Sequence, residues 1–468
     1  MLLLEDRLQA PAASDDPQAL FEEARRRTRR RRLRGAIAVG LVLAVAGTVL
    51  TLDGSASSGT VAETPSHPFA NIRAFGREGE LAFVSRGRLW VLDGAAGTLT
   101  PLTRPSQQAS DPEFSPDGRW LVFGVSASPA AAADQTWLAH ADGTSPRPIA
   151  RGYDAASWLP RGQLLIGGRR FRVTSNETLT PAGSTAAGLF PPGANAHEYI
   201  FQSSTIRVAA PTSSKGVVSL EVSSSLAGRR TTWFHARVSF AEQSGLQGPT
   251  FFFATALPAD RGILVGLSPF CCDVSDGVDL YEIRAAGERP RNLGVTVGNT
   301  VSVGANGTFA FTLGANRYAW VTKAVVTCSA AAERCSPIPT AAGTLSLDPA
   351  FSPNGDALAF VEAASMRAGN IGQPAVRRWY ATHTLWLMRH AGARPNEIAG
   401  TAGAAAPVWS ADGRSLLYVS NDALWLLPTL SSKPVLIASP LFTPTDWQSD
   451  FGRIDWTNQF AWSSAAAS

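Results

Sequence analysis

Few residues in this chain have the types and spacing that chemistry demands. Asp111, Asp154 and Asp348 each stand just ahead of a candidate innermost strand, where carboxylates converging on a shared opening would offer a contact to a cation or a small polar ligand. An Asp at such a turn also bonds its own backbone, and that role alone accounts for the residue type. Cys328 and Cys335 bracket Ser-Ala-Ala-Ala-Glu-Arg, a stretch short enough to close as a loop, so a disulfide is expected between them. Cys271 and Cys272 leave three states open: an adjacent-residue bridge, a reduced pair, or cross-pairing with the other two. Zinc held by all four is disfavoured, because adjacent cysteines crowd tetrahedral ligation and no histidine lies near them in sequence. The six histidines (67, 140, 197, 235, 383, 390) show no His-x-His or Glu-x-x-His spacing. Asp273, Asp276 and Asp279 sit in a Gly-containing acidic loop that misses the calcium-loop spacing and its distal Glu. Neither a metal nor a cofactor is therefore expected.

The elements that would position such residues repeat. Phe114-Ser-Pro-Asp-Gly-Arg-Trp-Leu-Val-Phe-Gly124 recurs as Phe351-Ser-Pro-Asn-Gly-Asp-Ala-Leu-Ala-Phe-Val361 and as Trp409-Ser-Ala-Asp-Gly-Arg-Ser-Leu-Leu-Tyr-Val419. In each copy Asp117, Asn354 or Asp412 precedes a glycine that supplies the positive φ of a tight turn. The following residues are apolar at successive positions, as at Leu358 to Val361, so both faces of these strands must be covered. A second strand with a central aromatic follows, as in Arg88-Leu-Trp-Val-Leu92, Thr384-Leu-Trp-Leu-Met388 and Ala423-Leu-Trp-Leu-Leu427. Large aromatics are what stacked sheets bury, and no cofactor is needed to explain them. Marker glycines at 79, 118, 162, 262, 307, 355 and 413 are separated by 39, 44, 100, 45, 48 and 58 residues. Most gaps match the ~40 to 50 residues of a four-stranded propeller blade. An all-β propeller of seven blades is expected, with eight as the alternative. The aromatic tail after Thr443, with Trp447, Trp456, Phe460 and Trp462, is expected to dock beside the first blade and close the ring.

The N-terminal quarter of the repeat pattern is preceded by something else. Residues 1–34 carry nine arginines against six carboxylates, nearly all of a formal net charge of +4 over 468 residues. Residues 35–52 hold no charge and span roughly 27 Å as a helix, close to a bilayer core. They are expected to form a single transmembrane helix, with the arginine block before it keeping 1–34 in the cytoplasm and sending the rest outside. A cleaved signal peptide fits less well, because its charged region is normally only a few residues long. Nucleic acid is not an expected partner, since the positive charge is one local block beside an apolar segment. Residues 53–68 read as a flexible linker and 69–468 as the propeller domain.

The order Pro-x-(Phe/Trp)-Ser-Pro-Asp-Gly, apolar strand, then Leu-(Trp/Tyr)-Val strand, as in Asp111-Pro-Glu-Phe-Ser-Pro-Asp-Gly118, resembles the TolB-like, WD-repeat-related β-propeller family. The resemblance covers roughly residues 70 to 440, and 170 to 255 match poorly. The family includes periplasmic proteins that bind partner proteins, so the resemblance implies a propeller in an extracytoplasmic setting more than it implies an activity, and the expected partner is an envelope protein or a small polar ligand. That propeller also occurs attached to peptidase domains, but no Gly-x-Ser-x-Gly elbow is present, the nearest string being Gly266-Leu-Ser-Pro-Phe270. Ser115-Pro-Asp117-Gly118 also lacks the residue a sialidase Asp-box needs between Asp and Gly. A non-enzymatic, membrane-anchored binding module is expected. A transmembrane regulator whose residues 1–34 engage a cytoplasmic partner in an anti-sigma-like manner is the first alternative, and an enzyme acting at the propeller mouth is the second.

Overall fold

A computed structural model describes the chain from residue 67 onward, except for 128–134, 152–155, 160–161, 167–168, 175–176, 183–194, 201–204, 211–216, 227–228, 240–249, 259–260, 269–276, 285–287, 298–299, 315–322, 330–334, 367–372, 391, 442–455, 457–458 and 465–468. The cytoplasmic segment, the transmembrane helix expected at 35–52, most of the linker, Asp154, Cys271 and Cys272 lie outside the described residues. Among the described residues no helix is long and apolar enough to cross a membrane. Ser66–Ser468 form one compact unit.

Among the described residues its strands group into eight antiparallel units of four. The first contains Glu80–Ser85, Arg88–Asp93 and Thr98–Pro101, and is completed by Phe460–Ser463 from the other end of the chain. The second runs from Gln108 to Arg151, the third from Ala156 to Pro181, the fourth from Asn195 to Ser239 and the fifth from Thr250 to Thr296. The sixth runs from Ser302 to Pro337, the seventh from Thr344 to Glu397 and the eighth from Ala404 to Ser439. The fifth and sixth join through a single pair, Thr296 with Leu313. Phe69–Ala70 adds to the outer strand of the eighth. Of the two numbers the sequence left open, seven and eight, the described strands match eight. The interval between Gly162 and Gly262 contains a whole further sheet, whose first hairpin carries no marker glycine.

Burial explains why the apolar runs are continuous. Leu358–Ala364 is buried at six of its seven positions and Leu416–Ser420 at all five. Successive side chains on one strand enter different clusters, because neighbouring Cβ atoms point to opposite faces. Leu81 and Phe83 join residues of the seventh and eighth sheets, whereas Ala82 and Val84 join Leu121 and Phe123 of the second. Val122 packs with Trp158 and Leu164 of the third. Phe309 and Phe311 face the fifth sheet while Ala310 faces Leu358 and Phe360 of the seventh. Ala359 and Val361 turn the other way, to the eighth. The first sheet therefore packs on the second, the second on the third, and the fifth to eighth on one another in order, and the cluster that holds the eighth also holds the first. The C-terminal strand docks where the aromatic tail was expected, with Leu81 opposite Trp462 and Phe83 opposite Phe460. Trp462 Nε1 donates to Glu78 O at 2.7 Å across 384 residues of sequence.

The repeated turn has one geometry in its three clear copies. Ser115, Ser352 and Ser410, all buried, donate through Oγ to Oδ1 of Asp117, Asn354 and Asp412 at 2.5, 2.7 and 2.7 Å. The same hydroxyls accept from the N–H of Trp120, Ala357 and Ser415 at 2.9 Å each. Gly118, Gly355 and Gly413 take φ of 67°, 78° and 70°, the conformation this turn requires. One hydroxyl thus ties the turn to the strand that follows it. Cys328 and Cys335 are bonded to each other, closing the outer hairpin of the sixth sheet.

Candidate functional site

The innermost strands of the second, seventh and eighth sheets share an unusual backbone feature. Asp111, Asp348 and Ala406 adopt φ of 52°, 46° and 47°, and each is followed by a proline. A non-glycine residue seldom enters this region, and one preceding proline is restricted further. Each sits at a break in register, between Ser110 and Glu113, Leu347 and Ala350, or Ala405 and Val408. The aspartates therefore lie inside the inner strands, at bulges, and not ahead of them as the sequence suggested. The proline removes a ladder donor and the bulge absorbs the unpaired residue.

These bulges also link neighbouring sheets. Asp348 Oδ2 accepts from the N–H of Ala406 at 3.3 Å, so the seventh sheet's carboxylate holds the bulge of the eighth. Trp409 Nε1 donates to Ala350 O at 2.9 Å, and Trp158 Nε1 makes the equivalent bond to Glu113 O at 3.2 Å between the third and second sheets. Phe351 N donates to Ser302 Oγ at 2.8 Å between the seventh and sixth. The aromatic of the repeated motif is thus an inter-sheet contact, with an added hydrogen bond wherever it is Trp.

A cavity of about 480 Å³ opens among the inner strands of the sixth, seventh, eighth and first sheets. Phe351, Trp409, Trp456, Phe460 and Trp462 form much of its wall, together with the bulges at Asp348 and Ala406. Val408 also lines it and is 36% exposed, one of two large apolar side chains left exposed among the described residues. Asp111 is exposed but does not line this cavity, so the structure does not bring it to Asp348 there.

Other ionisable groups lie away from it. Glu113 stands two residues after Asp111, and burial pushes its carboxyl up to about 7, with the Trp158 N–H acting weakly in the opposite sense. Glu282 is buried between Arg284 Nε at 2.9 Å and Arg291 Nη2 at 2.5 Å. Glu177 of the third sheet meets His140 at 2.7 Å and Arg147 at 2.8 Å on the second. His383 is buried against Trp379 and Tyr380, and burial drives its pKa down to about 3, which keeps the ring neutral. Asp279, considered above for calcium, lies in the strand Val278–Ile283 opposite Val295. Among the described residues no three His, Cys, Asp or Glu side chains gather in a group that could hold a metal ion. The sequence reading missed Ala406, Glu113 and the cavity aromatics as one set. Only the proline after each bulge residue marked them in advance.

Neither a protein-family model nor a curated protein matches this chain. The solved structures similar to it are those of β-propeller proteins. TolB from Acinetobacter baumannii is 15% identical with a TM-score of 0.31, over 70% of this chain and 65% of its own. The dihydro-heme d1 dehydrogenase NirN is 15% identical with a TM-score of 0.39, covering 81% of this chain and 77% of NirN. An oligogalacturonate lyase solved with manganese is 11% identical with a TM-score of 0.37, covering 78% of this chain and 97% of the lyase. The chain thus spans 65% of the length of the Acinetobacter TolB.

Proposed function

We propose that this chain is a membrane-anchored, extracytoplasmic β-propeller of eight blades that binds a ligand without transforming it. The observation that carries this reading is the aromatic cavity of about 480 Å³ at the inner strands, within the ~300 to 1,000 Å³ usual for ligand sites. Exposed Val408 on its wall supports the reading, because an apolar side chain left facing solvent inside a concavity is stabilised when a guest covers it. Residues 35–52 supply the anchor and the arginines before them its orientation, which delivers the cavity to the extracytoplasmic side. The partner is an envelope protein or a small polar ligand.

The test is thermal unfolding of the full chain against fractionated envelope extract. A ligand at about 100 times its Kd stabilises the native state by about 2.7 kcal/mol, a readable rise in Tm. The reading expects a stabilising fraction whose effect disappears in Val408→Arg, which fills the cavity mouth. Stabilisation that survives this substitution, or no stabilising fraction at all, would contradict it.

A further inference from the structure

We propose that a second cavity, between the outer parts of the seventh and eighth sheets, binds a small phosphate monoester through Arg389 and Lys433. It holds about 370 Å³ and shares none of its described wall residues with the inner-strand cavity. Leu387, Ile398 and Leu430 give it an apolar floor, and all three belong to or pack on the core cluster that spans the two sheets. Arg389 follows the strand Thr384–Met388 of the seventh sheet, whereas Lys433 lies in the turn between Ala423–Leu427 and Val435–Ser439 of the eighth. Both are exposed, and neither side chain has an ion-pair or hydrogen-bond partner among the described residues.

Glu397 is the one carboxylate among the described wall residues, and the register turns it away. Leu387 stands opposite Asn396 and Trp386 opposite Glu397, and residues directly paired in this way share a face of the sheet. Leu387 joins the cluster containing Leu424 and Leu426 of the eighth sheet, while Trp386 packs with Ala310 and Val325 of the sixth. Asn396 therefore faces the cavity and the Glu397 side chain is carried on the opposite face. The charge that a guest meets is positive.

The turn that presents Lys433 is fixed. Thr429 N donates to Ser432 Oγ at 3.0 Å, and that hydroxyl donates back to Thr429 O at 2.7 Å. Pro434, the next residue after Lys433, lies beside Gly400 of the seventh sheet. Two cations from different sheets over an apolar floor suit a dianion on a small apolar body. A phosphate monoester is close to a dianion at neutral pH, and its three terminal oxygens can be shared between a planar guanidinium fork and an ammonium.

Calorimetric titration of the full chain with phenyl phosphate, phenol and inorganic phosphate separates charge from floor. Phenyl phosphate should bind at least about tenfold more tightly than phenol, on the scale of charge-assisted hydrogen bonds, and its affinity should fall as salt is added. Inorganic phosphate, which leaves the floor uncovered, should bind about tenfold more weakly than phenyl phosphate. The double variant Arg389→Gln, Lys433→Gln changes two exposed side chains and should erase the preference over phenol. Val408→Arg, at the inner-strand cavity, should leave phenyl phosphate affinity unchanged. Undiminished affinity in the double variant, or loss in Val408→Arg, would place the probe elsewhere and overturn the proposal. No uptake of phenyl phosphate up to millimolar concentration would overturn it as well, and neither result bears on the inner-strand cavity's response to envelope extract.

Discussion

Ser352 illustrates how much a single side chain does in this molecule: its hydroxyl donates to Asn354 and accepts from Ala357, fixing a turn whose glycine supplies the positive φ. That turn was legible because every atom in it comes from six consecutive residues. Glu113 was not, because its burial depends on Trp158, 45 residues away on the next sheet. Its consequence is a pH dependence of stability. A carboxyl raised from 4.5 to about 7 in the folded state contributes most below pH 4.5, and that contribution is lost as pH rises through 7. Glu113→Gln should therefore flatten the stability profile between these values and raise stability at pH 8 by roughly 3 kcal/mol, at about 1.4 kcal/mol per pKa unit. Urea midpoints at pH 5 and pH 8 check this, and a variant less stable than wild type at pH 8 would refute it. His383 works in the opposite direction. Its pKa is lowered from 6.5 to about 3, so the stability it contributes is present above pH 6.5 and is lost as pH falls.

At the scale of elements, strands were legible and their bulges were not. Continuous apolar runs announced two covered faces, and successive residues of a run do enter different clusters. The fourth sheet was legible only as the 100-residue gap between Gly162 and Gly262, which has room for a further blade or one elaborated blade, because its first hairpin has no Asn-Gly or Asp-Gly turn to mark it. Asp348 was misplaced by a few residues because a bulge is decided by the pairing of two strands, and only the following proline hints at it in the sequence. The outer hairpin of the sixth sheet combines two supports, the Cys328–Cys335 bond and Arg291 Nη2 lying 3.9 Å from Cys335 Sγ. Replacing both cysteines with serine should lower stability by roughly 2 kcal/mol, as expected for a short closed loop. Chemical denaturation with and without reductant measures this. A variant as stable as the oxidised wild type would contradict it.

At the scale of the whole molecule, the eighth sheet packs on the first and the two ends of the unit meet. Phe69–Ala70 extends the eighth sheet while Phe460–Ser463 completes the first, so neither end sheet depends on its own segment alone. One cluster joins Leu81 and Trp90 of the first sheet with Tyr418 and Leu426 of the eighth and Val361 of the seventh. The aromatic tail made this meeting of the ends readable, because three tryptophans and two phenylalanines near a terminus need somewhere to be buried. The cavity was not readable, since its wall draws on four sheets far apart in sequence. The central claim is that the wheel is closed by its last strand, and amide hydrogen exchange tests it most directly. Comparing the full chain with one ending at Gln459, the account predicts that amides of Glu80–Ser85 lose protection although some 380 residues separate them from the deletion, while those of the fifth sheet keep theirs. Unchanged protection at Leu81 and Phe83 would show that the first sheet stands without the C-terminal strand, and the closed wheel would have to be abandoned.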